Sequence, residues 1–106
     1  MERGRFLELS AQALEHLDEV LGGLEHEDLD VELAGDVLTL AFADGVRFVI
    51  NAHSAAGQIW MAANTDAWHF DYDPAVERWV ASKTGDELMA TVARTVGERL
   101  GLSIAL

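Results

Sequence analysis

"LDVELAGDVLTLAFADGVRFVIN", residues 29–51, decides the fold. In its first part Leu29, Val31 and Leu33 alternate with Asp30 and Glu32. A period of two is strand spacing, so the two acids share one face and the aliphatics the other. Gly35-Asp36 is a tight-turn signal, and a second alternating run covers 37–42. Asp44-Gly45, a favoured hairpin dipeptide, precedes a third run at 46–51. Connections this short leave no room for a crossover helix, so the pairing is antiparallel.

The pattern continues outward on both sides. Downstream, "QIWMAA" (58–63) and "WHFDYD" (68–73) read as strands, the latter ended by Pro74, and "RWVA" (78–81) as a short last one. Upstream, residues 5–21 read as an amphipathic helix. Its apolar stripe is Phe6, Leu9, Ser10, Ala13, Leu14, Leu17, Val20 and Leu21. Glu8, Gln12, Glu15 and Glu19 lie opposite, with Asp18 at the stripe's edge. Gly22 and Gly23 offer the left-handed conformation that ends helices. "TGDELMATVARTVGERLG" (84–101) reads as a second helix with Leu88, Met89, Val92, Val96 and Leu100 as its stripe. Thr84 and Glu87 have capping-box spacing, and Gly101 suits the C-terminal end. The tail "LSIAL" is apolar enough to cover core between the helices.

The expected fold is therefore α+β: a two-layer α/β sandwich in the order α-β-β-β-β-β-β-α. Two helices pack on one face of an antiparallel sheet of five to six strands, and the other face stays open. Residues 1–106 are expected to form a single domain.

Composition narrows the function. Half of the residues are apolar and none is cysteine, which excludes disulfides, thiolate metal sites and cysteine nucleophiles. No apolar run approaches the roughly 20 residues that span a bilayer. The stretch "MERGRFLELS" lacks the apolar core of a secretory signal. A soluble protein of the bacterial cytoplasm is expected.

The net charge is −12. It is skewed: residues 1–36 hold 11 acids and two Arg, and residues 37–106 hold 8 acids and five bases. A nucleic acid or an anionic membrane needs a basic footprint, so neither is expected as a partner. Cations and basic protein surfaces remain.

Two surfaces stand out. The first is an acidic edge: Glu15, Asp18 and Glu19 late in the first helix, Glu25, Glu27 and Asp28 in the loop, and Asp30 and Glu32 on the first strand. Carboxylates are hard oxygen ligands that suit Ca, Mg, Mn and iron. The spacing describes no closed site, so any metal binding is expected to be weak, exposed and multi-site. His16 and His26 lie near enough in sequence to add a nitrogen. A metal ridge, a solvated ridge and a protein-docking patch all fit these residues. The second surface surrounds Trp60. With Ile59 and Met61 facing the core, Gln58, Trp60 and Ala62 face out, and Arg47, Val49 and Asn51 share that face. Trp beside Arg suits a binding hot spot, and a half-buried structural Trp fits equally well. Trp68, Phe70, Tyr72 and Trp79 read as core. His69 reads as a surface histidine and His53 as a loop residue. No nucleophile motif or phosphate-binding loop is present, so nothing here suggests conventional catalysis.

The same residues carry a resemblance. Asn51, then Gln58-Ile59-Trp60, then His69-Phe70-Asp71 and a short Trp strand, behind an acidic first helix and strand, resemble the frataxin family, most closely its bacterial branch. The likeness covers about residues 5–101. It implies an α/β sandwich and an iron-binding protein of iron–sulfur cluster assembly, described in the family as an iron chaperone or donor and as a regulator of the cysteine desulfurase. It implies weakly held iron (Fe2+ or Fe3+) as the cargo. Glu15, Asp18, Glu19, Asp28, Asp30 and Glu32 become the iron residues, with Glu25 and Glu27 less surely aligned. The implied partners are the cysteine desulfurase and the iron–sulfur scaffold machinery. Asn51, Gln58 and Trp60, with Glu19 and Asp30, become the partner-binding residues. A monomer is expected, with iron-driven oligomers as the alternative. The junction "GGLEHE" is less acidic than in many members, which bears on the number of iron sites. A metal-free acidic module that regulates a basic enzyme is the competing reading, and a ferroxidase is ranked last, because no paired Glu-x-x-His is present.

Overall fold

A computed structural model describes residues 1–106. The elements are α1 (Arg3–Gly23), β1 (Leu29–Ala34), β2 (Val37–Phe42), β3 (Arg47–His53), β4 (Gln58–Ala63), β5 (Asp66–Asp73), β6 (Arg78–Ala81) and α2 (Leu88–Leu100). The six strands form one antiparallel sheet whose spatial order is the chain order, β1 to β6. Both helices lie on one face, as the alternation requires. α1 packs over β1, β2 and β3, and α2 packs against β6.

Turn chemistry sets the register. Ala34 pairs with Val37 across Gly35-Asp36, and Gly35 takes a φ of 62°. A side chain is strained there, and glycine is not. Gly45, at φ 90°, serves the β2–β3 connection. With register fixed, the core face is continuous: Leu38, Leu40, Phe48, Ile50, Ile59, Met61 and Phe70 are all buried under the helices. Phe6, Leu14, Leu17 and Leu21 of α1 and Leu88, Val92 and Val96 of α2 complete it. Trp79 meets Phe6 and Tyr72 edge-on, with ring centroids 5.7 and 5.3 Å apart.

The predicted end of α1 and the predicted start of α2 need correction, whereas Gly101 ends α2 in the left-handed conformation as expected. Gly22 and Gly23 do not end α1 in a left-handed turn; both are helical, and Glu25 takes the positive φ of 48° instead. The extra turn lets Leu24 pack against the core. Thr84 does not cap α2. Glu87 is the N-cap, and its carboxylate accepts the Met89 and Ala90 N–H groups at 2.8 and 3.0 Å. Residues 82–87 are held back against β6 by an antiparallel bridge between Val80 and Glu87. The indole of Trp68 also donates to Asp86 at 3.0 Å. Those contacts keep Glu87 extended, so the helix starts one residue after it.

Candidate functional site: an acidic edge and an open sheet face

α1 packs on β1, so the late acids of the helix and the acids of the strand belong to one edge of the molecule. Glu15, Glu19, Asp28, Asp30 and Glu32 are exposed, and Asp18 is half-buried on the helix. Asp30 and Glu32 point to the open face of the sheet, away from the helices, because Leu29, Val31 and Leu33 hold the other side. No three of the carboxylates and histidines converge on a point that could hold a metal. The edge is a ridge of separate, hydrated oxygen donors.

The flanking residues are placed less simply. The Nδ1 of His26 accepts the Asp28 N–H at 3.0 Å, so that nitrogen closes the loop. His16 lies on the other flank of α1, lining a groove with Gln12, Tyr72, Glu77 and Trp79. Asp28 lines a cleft of about 430 Å³ beside Asp44 and Arg99. There the Arg99 guanidinium pairs with Asp44 and sits 5.0 Å from the Phe42 ring. Asp28 therefore has a cation in its surroundings.

The open face carries the predicted row. Asn51 pairs with Trp60, and Trp60 with His69. Arg47 is exposed, and Val49, Asn51, Gln58 and Trp60 are half-buried. Trp60 is not free to swing. Its ring is stacked between His53 and His69, with centroids 3.8 and 4.2 Å away and planes within 14° and 11°. Its indole N–H donates to Gln58 Oε1 at 2.8 Å, and Gln58 Nε2 donates to Asp71 at 3.1 Å. His53 ends β3 rather than lying in a loop, and its Nδ1 is buried with no partner in the protein. Sequence reasoning missed this stack. The signal was present in the pairing of Trp60 with His69, but His53 joins it diagonally, from the register position opposite Gln58.

One ionisable group departs clearly from its ordinary value. Asp86 is held below it, first by the Thr84 hydroxyl, then by the Trp68 indole N–H, with a weaker pull from Arg94, while burial acts in the opposite sense.

Two helices on one face of a six-stranded meander, with an acidic first edge and an open face centred on Trp60, define the frataxin type of α/β sandwich. A model of the frataxin-like domain matches residues 1–102, and the chain belongs to that family. Among curated relatives, the iron-sulfur cluster assembly protein CyaY of Dechloromonas aromatica is 36% identical over 107 residues, covering 100% of this chain and 99% of its own. The iron-sulfur cluster assembly protein CyaY of Azotobacter vinelandii is 33% identical over 103 residues, covering 95% and 91%. Among solved structures, frataxin from Psychromonas ingrahamii superposes with a TM-score of 0.88 at 23% identity, over 98% of this chain and 96% of that one. Trimeric yeast frataxin complexed with ferrous superposes with a TM-score of 0.76 at 29% identity, over 88% and 86%. No helix is long and apolar enough to cross a membrane.

Proposed function

We propose that the protein serves iron–sulfur cluster assembly in the bacterial cytoplasm, carrying weakly held iron on the ridge and docking on the cysteine desulfurase through the same carboxylates. The ridge acids Glu15, Glu19, Asp30 and Glu32, exposed along the α1–β1 edge of a frataxin-family chain, with the half-buried Asp18 among them, carry this reading. The relatives' names favour it over a metal-free acidic module. On this reading the whole chain acts as one domain, and it hands on iron rather than turning over a substrate.

The physics suits a carrier. Exposed carboxylates give iron hard oxygen ligands but no cage, so binding is weak and release is fast. The negative edge raises the encounter rate with cations and with a basic enzyme surface, and added salt weakens that attraction. Trp60, Asn51 and Gln58 form a second contact for the assembly machinery, where an indole already fixed by two rings loses little entropy on docking. The monomer is the working form, and iron shared between ridges of two copies supplies a route to oligomers, in keeping with the trimeric yeast neighbour.

The test is an anaerobic chemical-shift titration with ferrous iron and, separately, with the desulfurase. Paramagnetic broadening is expected at Glu15, Asp18, Glu19, Asp30 and Glu32, with other divalent ions competing. Broadening centred on His53 or His69 instead defeats the iron assignment, and desulfurase shifts confined away from the ridge defeat the shared site.

A further inference from the structure

The two edges of the sheet are finished differently. At β6, Glu87 bridges to Val80, the Ala81 N–H donates to the Asp86 carbonyl at 2.8 Å, and the Gly85 N–H donates to the Ala81 carbonyl at 2.7 Å. The chain running into α2 therefore covers that edge. At β1 no segment of the chain does the same. The bond from the Ala43 N–H to the Asp28 carbonyl, 3.0 Å, fixes the phase of the first ladder. With that phase, Asp30–Ala41, Glu32–Thr39 and Ala34–Val37 are the pairs that exchange backbone bonds. The N–H and C=O groups of Val31 and Leu33 then point away from β2. The Leu29 N–H finds the His26 carbonyl at 3.1 Å, but no backbone bond beyond the ladder engages Val31 or Leu33.

The side chains on this edge also alternate. Val31 and Leu33 are half-buried against the core, and Asp30 and Glu32 are exposed on the opposite face. We propose that the free edge of β1 accepts an extended segment of a partner protein as a seventh strand, and that this segment alternates Lys or Arg with aliphatic residues. Its backbone would satisfy the groups of Val31 and Leu33, its cations would face Asp30 and Glu32, and its aliphatics would extend the apolar face beside Val31 and Leu33. A second copy is the wrong occupant, because two β1 strands would set their carboxylates against each other. Charges on an edge strand ordinarily guard against pairing of any kind. Here they exclude like strands and leave a basic strand acceptable. The inference shares with the proposed function only a basic partner at the ridge and does not require iron.

The probe is a peptide of six residues, matching the length of β1, with alternating valine and lysine and blocked ends. Its control carries the same charges but N-methyl groups on the amides that would face β1. At saturation the plain peptide is expected to slow amide exchange at Val31 and Leu33 by at least about tenfold, and the methylated peptide to bind far more weakly. Val31→Pro is expected to abolish binding while keeping every carboxylate, since proline is tolerated where the N–H lies outside the ladder. Circular dichroism verifies its fold, and the methylated peptide tests the proposal without any variant. Equal binding of the two peptides overturns the proposal, as do shifts at Asp30 and Glu32 without slowed exchange at Val31 and Leu33. Either result means docking by charge alone and leaves the iron reading standing. Absence of binding by the plain peptide also overturns it and leaves the edge charges as guards. Iron broadening along the ridge of Val31→Pro checks the proposed function separately.

Discussion

Trp79 and Trp60 occupy opposite faces of one sheet. Trp79 lies under the helices at 5% exposure and meets Phe6 and Tyr72 edge-on. Trp60 lies on the uncovered face, half-exposed, pressed between two imidazoles. The first is held by shape within a closed core. The second is held by neighbours on a surface that stays open. Burial alone separates their expected roles, because the residue type and the strand geometry are the same.

The strongest way to break the contrast is Trp79→Ala. It should cost about 3–5 kcal/mol, as removal of a core Trp does, and chemical denaturation reads it directly. Trp60→Ala should cost less stability, roughly 1–2 kcal/mol from two ring stacks. It should weaken desulfurase or scaffold binding by at least ~2 kcal/mol if the face is a docking site. Both measured on one preparation settle the comparison: equal stability losses would remove it.

The acid limb of stability sharpens the picture at the edge of the core. The depressed pKa of Asp86 means that its contribution is full above the ordinary aspartate value and is lost as pH falls through the lower, folded value. Melting curves from about pH 6 to about pH 3 at fixed ionic strength should show this loss, with Trp68 fluorescence following the released indole. Asp86→Asn should reduce the pH dependence of that limb. If Asp86→Asn leaves the limb unchanged, other carboxylates set it.

The smallest expected effect lies on the ridge. Replacing Asp30 and Glu32 by Asn and Gln should raise stability at low salt by under about 1 kcal/mol, since like charges no longer repel across exposed positions. The same pair should weaken iron and partner binding. Differential scanning at low and high salt, with the gain shrinking as salt rises, checks the sign. A loss of stability would make these carboxylates structural.

Strand faces were legible because a period of two and dipeptides such as Gly35-Asp36 encode them locally. The outward placement of Trp60 and the inward placement of Trp79 follow from that alternation alone. Gly101 marked the end of α2, but the end of α1 and the start of α2 were not legible, because distant residues decide them. Leu24 reaches the core beyond two glycines, and Trp68 with Val80 holds the segment before α2 in place. The ridge could be listed from the sequence but not resolved. Only the fold shows His16 on the other flank and Asp28 beside Arg99. The ring stack depends on register across three strands, which no single stretch contains.

The meander also orders events in time. Because strand order in space is strand order in the chain, each sheet pairing joins neighbours across a short connection. Little loop entropy opposes each closure, and pairing can advance strand by strand as the chain leaves the ribosome. The first helix is the exception. α1 is made first, yet its apolar stripe finds cover only when β1, β2 and β3 have followed it. Until then the carboxylates on the other side of that helix repel further copies of the chain, which disfavours association through the uncovered stripe.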